Sequence, residues 1–110
     1  MLTEESLFRN IAGKLASENQ SISTGKMMSS PAIKYKNKVF AFYHNKEMIF
    51  KLGKQFDPKL LGIEHFQLLS PFKNKPPMAG WFQIPFEYSD KWEELARQAL
   101  ALVSKEIDKE

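Results

Sequence analysis

Leu7, Ile11 and Leu15 recur every four residues, joined by Phe8 and Ala12, and form one apolar helical stripe. Thr3 stands where an N-cap belongs, and Glu4 and Glu5 fall in the first turn, where the helix dipole favours acids. Gly13 weakens this helix, and the pattern ends it near Asn19. The stretch from Ser21 to Ser30 is serine-rich, holds Gly25 and two methionines, and reads as a connection. The period then changes. Ile33 and Tyr35 alternate with Lys34 and Lys36, which is strand spacing. Lys36-Asn37-Lys38 reads as a tight turn, because Asn tolerates a positive φ. Residues 39–44 form an aromatic strand, apolar on both faces and hence central. After a turn at Asn45-Lys46, Met48, Phe50 and Leu52 alternate with Ile49 and Lys51 and complete a three-stranded meander.

Gly53 closes the meander. Asp57-Pro58 is a helix-start signature, a capping carboxylate followed by proline at the first helical position, and Gly62 ends that short helix. His65 to Leu69 reads as a fourth strand. Ser70 to Ala79 reads as a proline-rich loop, and Gly80 to Ile84 as a fifth strand stopped by Pro85. Ser89 or Asp90 caps a last helix, in which Trp92, Leu95, Ala96, Ala99, Val103 and Ile107 share one face. The predicted order is helix–three strands–helix–two strands–helix. Short turns between strands, with helices at the ends, predict an α+β fold: a two-layer α/β sandwich on a mainly antiparallel sheet.

The 110 residues suffice for one domain, residues 1–110, and the 43% hydrophobic content is enough to build its core. Cysteine is absent, which excludes a disulfide framework, a thiol nucleophile and cysteine-ligated metal. No apolar run reaches the roughly 18 residues of a membrane span. The start, Met1-Leu2-Thr3-Glu4-Glu5, is acidic where a signal peptide is basic and then apolar. A cytoplasmic domain without a membrane partner is the expectation. Charge is uneven. Residues 26–75 carry ten lysines against three acids, a local +7, while 1–25 carry −1 and 76–110 carry −3. Lysines on a sheet keep its surface and edges soluble. Arginine, the better bidentate reader of phosphates and bases, occurs only twice.

Motifs that carry chemistry are missing. Ser23-Thr24-Gly25-Lys26-Met27 resembles the end of a phosphate-binding loop, but Gln20 replaces the first glycine and Met27 the hydroxyl residue after the lysine. His44 and His65 fall on different predicted strands, and Glu64 points away from its neighbour His65. Glu93 and Glu94 are adjacent on a helix and do not stack as a carboxylate pair. Neither a nucleophile elbow nor a dinucleotide fingerprint occurs. No catalytic residue, metal ligand or cofactor is assigned.

Lys75-Pro76-Pro77-Met78-Ala79-Gly80-Trp81 gathers stiff, soft and aromatic residues at the entry to a strand. Proline lowers the entropy lost on binding, while methionine and tryptophan serve as interface anchors. An ordered set of motifs passes through this segment. Met27-Met28, Lys38-Val39-Phe40-Ala41, Phe50-Lys51-Leu52, Pro76 to Trp81 with Ile84-Pro85, and Trp92-Glu93-Glu94-Leu95-Ala96 together resemble the TfoX N-terminal domain family (TfoX/Sxy-like), from about Leu7 to Ile107. Where that family reads Met-Phe-Gly before its first strand, this chain has Met28-Ser29-Ser30. The resemblance implies an α/β sandwich and kinship with a regulator of bacterial competence that works with a transcription activator. That regulator carries a second, C-terminal domain, which these 110 residues lack. The resemblance implies no catalytic residues.

Three functions follow. The first is a non-enzymatic regulatory or protein-interaction module, with a protein partner or a second copy of itself bound through a sheet edge or through Met28, Lys75, Pro77, Met78 and Trp81. The second is a nucleic-acid binder using Lys34, Lys36, Lys38, Lys46 and Lys51, which would display the rings of Phe40 and Phe42 between them, whereas a small domain needs such rings for its core and packing under the helices is the favoured reading. The third is an enzyme or small-ligand carrier with a pocket between sheet and helices.

Overall fold

The computed structural model describes residues 3–27, 30–69 and 78–108. Helix α1 (Glu4–Glu18) starts as expected at Thr3. The Thr3 hydroxyl accepts the Ser6 N–H at 3.1 Å, and the Ser6 hydroxyl accepts the Thr3 N–H at 2.8 Å, which satisfies two of the free donors at the helix start. Six strands follow: β1 (Ile22–Met27), β2 (Ser30–Tyr35), β3 (Lys38–His44), β4 (Glu47–Lys51), β5 (Gln67–Leu69) and β6 (Met78–Ile84). Helix α2 (Ser89–Asp108) closes the chain. The fold is α+β, with every strand pair antiparallel in one open sheet of order β1-β2-β3-β4-β6-β5.

The structure corrects several expectations. The connection at 21–30 contains strand β1, so the meander has four strands. An edge strand buries apolar residues only where a helix covers it. Here that is Ile22 alone, so no alternation was present to read. The helix after Asp57 is a single 3-10 turn (Pro58–Leu61). Its ends are as expected, because the Asp57 carboxylate accepts the Lys59 N–H at 3.0 Å and Gly62 is left-handed at φ 78°. The strand expected from His65 shrinks to β5, since the N–H groups of Glu64 and His65 both donate to the Tyr88 hydroxyl at 2.9 Å. Met78 and Ala79, assigned to the loop, already belong to β6; residues 70–77 lie outside the described residues. A second 3-10 turn (Phe86–Tyr88) leads straight into α2, which puts Ser89 and Asp90 inside the helical run.

Both two-residue turns of the meander use left-handed backbone at both positions: Lys36 and Asn37 (φ 47° and 72°), then Asn45 and Lys46 (φ 53° and 65°). Such turns match the right-handed twist of the flanking strands. They place β2, β3 and β4 side by side under the helices. Phe8, Ile11, Ala12 and Leu15 of α1 share one buried core with Trp92, Leu95, Ala96, Ala99 and Val103 of α2 and with Ile33, Phe40, Met48, Phe50 and Ile84 of the sheet. This is the helical face predicted for each helix. Among the described residues no helix is long and apolar enough to cross a membrane.

Candidate interaction surface

The face of the sheet away from this core carries a second apolar group. Ala32, Phe42 and Ile49 are buried there, flanked by the partly buried Met27, Val39 and Trp81. A β-bulge creates the arrangement. Ile33 faces Ala41 and Lys34 faces Val39, so Phe40 is an extra residue with no partner. The bulge turns both Phe40 and Ala41 toward the helices and leaves Val39 and Phe42 on the other face. The joint display of Phe40 and Phe42 that the nucleic-acid alternative needs does not occur: Phe40 packs under the helices, and Phe42 lies on the opposite side of the sheet. Position alternation alone gives no sign of a bulge.

Trp81 is set by the backbone before it. Gly80 has φ 91°, and its carbonyl accepts the N–H groups of both Leu52 (2.8 Å) and Gly53 (3.1 Å). A Cβ at Gly80 would stand 3.3 Å from the Gly53 carbonyl carbon, so only glycine fits both the conformation and the approach. Beyond this junction Trp81 pairs with Lys51, and its ring centroid lies 5.9 Å from that of Phe42. Met28, Lys75 and Pro77 lie outside the described residues. Of that site, the structure places Trp81 and the backbone of Met78, at the start of β6.

The candidate nucleic-acid lysines do not all come together. Lys36 sits in the β2–β3 turn and Lys38 follows it, Lys34 is near it on β2, and Lys51 ends β4 at the same end of the sheet. Lys46 sits in the β3–β4 turn at the opposite end. Two of the clustered lysines are engaged by the end of α2. Lys36 meets Asp108 at 2.8 Å, and Lys51 meets Glu106 at 3.3 Å. The Tyr35 hydroxyl also donates to Asp108, at 2.9 Å. These hydrogen bonds, with Lys36 first, hold the Asp108 carboxyl below the usual carboxylate range, and Asp108 in turn raises Lys36.

A second ionic group ties the helices together. Arg97 of α2 donates to Glu18 of α1 at 2.8 and 3.1 Å and to Glu93 at 3.2 Å, and Lys14 reaches Glu93 at 3.1 Å. Glu18 is lowered chiefly by its hydrogen bond to Arg97, and Glu93 chiefly by that to Lys14, while Arg97 is raised. His65 sits 3.2 Å from Glu87, a pair sequence spacing did not suggest, on an exposed corner. His44 meets the Ser30 hydroxyl at 3.1 Å. Among the described residues no three metal-ligating side chains come together.

The outer edge of β1 is the other feature. The Lys36 N–H donates to the Ser21 carbonyl at 3.0 Å, which sets the ladder's alternation. Ser23 and Gly25 therefore point their backbone groups inward to β2, and Thr24 and Lys26 point theirs outward. The Ile22 N–H is taken by the Asn19 carbonyl at 3.1 Å. Among the described residues no strand pairs with the outward groups. Beside this edge runs a groove of about 370 Å³, with Phe8, Ala12 and Gly13 on one wall and Thr24 and Lys26 on the other. No protein-family model, curated protein or solved structure matches the chain.

Proposed function

We propose that this chain is a non-enzymatic protein-interaction module with a regulatory role, of the type implied by its resemblance to the TfoX N-terminal domain. The observation that carries the reading is the apolar group on the sheet face opposite the helices. A sheet with helices on one face needs apolar residues on that face only, and its other face is ordinarily polar. Here Met27, Val39 and Trp81 surround a buried Phe42 and Ile49 on that other face. Trp81 is held by a glycine junction that fixes its position before any partner arrives. Preorganised aromatic anchors of this kind dominate binding energy at interfaces.

The test is affinity capture from the native cell with the full chain, in parallel with Trp81→Ser, over a salt series. A specific protein retained at moderate salt, and lost with Trp81→Ser while its circular dichroism is unchanged, is the expected result. Binding of nucleic acid with affinity that falls steeply with salt would replace this reading with the lysine-based one. Turnover of a metabolite by the purified chain would replace it with an enzyme.

A further inference from the structure

We infer that the outer edge of β1 pairs antiparallel with β1 of a second copy of this chain, in a register centred on Thr24. The inference rests on the interaction reading and names one partner for it. Edge strands of natural sheets are commonly short, bulged, proline-bearing or charged, because an unguarded ladder recruits another strand. β1 is six residues long, pairs with β2 without a register shift, and contains no proline. Its one charged side chain, Lys26, decides the register.

Antiparallel partners share a face, and hydrogen-bonded partners must both point their backbone groups outward. Centring on Thr24 meets both conditions. Thr24 exchanges two hydrogen bonds with Thr24 of the other copy. Each Lys26 N–H donates to the other copy's Ile22 carbonyl, whose own N–H is already engaged by Asn19. Ser23 then faces Gly25, and no bulky pair collides. The two Lys26 side chains lie four positions apart, about 13 Å along the strands.

Charge favours this register over its neighbour. Ile22 follows the C-cap of α1, Asn19, by three residues, and α1 has no basic residue in its last turn. A helix C-terminus favours a cation. With Thr24 at the centre, Lys26 of each copy arrives beside the C-terminal end of the other's α1, where Arg97 is taken up by Glu18. Centring on Gly25 would instead draw the two lysines together, on the side where Arg9 already lines the groove. Gly13 faces open space at this margin, which leaves room for the approaching helix of the second copy.

Native mass spectrometry or sedimentation of the full chain over a concentration series, with amide exchange on the same samples, tests the inference. The expected result is a dimer in which the Thr24 and Lys26 amides are protected. Thr24→Pro removes an outward N–H that the β1–β2 ladder does not use, so it should give a folded monomer. Lys26→Glu should weaken association roughly tenfold by placing a carboxylate at the helix end. A chain that is monomeric at every concentration overturns the inference, as does a dimer whose Thr24 and Lys26 amides exchange freely. If Thr24→Pro does not fold, Lys26→Glu and the exchange of the native chain decide. A monomer that still binds a different protein through Trp81 would end this inference and leave the interaction reading standing.

Discussion

The two edges of the sheet are built on different principles. β5 is three residues long, its pairing with β6 shifts register between Leu68 and Leu69, and its flank is buttressed by aromatic rings. The Phe82 centroid lies 5.3 Å from that of Phe56 and 5.7 Å from that of Phe66. The Tyr88 hydroxyl holds the chain entering β5, and the Gly80 carbonyl clamps the end of β4. β1 is twice as long and regular. The helix beside it, α1, is tied to its neighbour α2 by exposed ion pairs as well as by the shared core. One margin is short, irregular and backed by aromatic burial, with the exposed His65–Glu87 pair at its entry. The other is held partly by charges that solvent can weaken, with free backbone donors and acceptors on its rim. A short, irregular edge discourages pairing, and a longer, regular one is available for it.

That contrast can be broken most severely at Phe82. Phe82→Ala removes the ring shared by Phe56 and Phe66 and should cost about 3–4 kcal/mol in urea unfolding; a loss under about 1 kcal/mol would mean the aromatic buttress is not what holds the β5 side. Gly80→Ala comes next, at about 2 kcal/mol, because a side chain at φ 91° is strained and the Gly53 backbone cannot retreat cheaply. Within β1, proline should sort alternate residues. Ser23→Pro deletes an inward ladder bond and should cost about 1–3 kcal/mol, while Thr24→Pro should leave monomer stability within about 0.5 kcal/mol. Equal losses at the two positions would contradict the assigned ladder alternation.

The smallest expected effect is a titration. Glu18, Glu93 and Asp108 are lowered in the folded state by their cationic partners. A carboxyl lowered on folding contributes stability above its unfolded pKa, and that contribution is lost as pH falls through the folded one. The unfolded values lie near 4, so the loss should begin at about pH 4 and finish below it. Amide exchange in α1 should therefore rise in acid before exchange in β6 does, and added salt should mute the difference because these pairs are exposed. Simultaneous loosening of α1 and β6 would show that the ion pairs do not distinguish the two sides.

Local chemistry was legible where one residue type has one local use. Thr3 caps α1, Asp57 and Gly62 bound the 3-10 turn, Asn37 and Asn45 sit in left-handed turns, and the stripes of α1 and α2 face the core. Each of these depends on contacts within a few residues or on a period set by the helix itself. β1 was illegible because its partner, not its own side chains, makes it a strand. The bulge at Phe40 was illegible because alternation assumes an unbroken register. Of the candidate site, Trp81 could be picked out by residue type, but its approach to Phe42 follows from β6 lying between β4 and β5.

Residue order alone determined the α+β class, the antiparallel hairpins and which face of each helix is apolar, since these follow from periodicity and backbone preference along the chain. Tertiary structure alone decided the strand order, the second apolar face, the ion pairs that gather Glu18, Glu93 and Asp108, and the open edge of β1. Those properties arise when distant segments share a ladder or a charge, and the free energy of such pairing belongs to neither segment by itself.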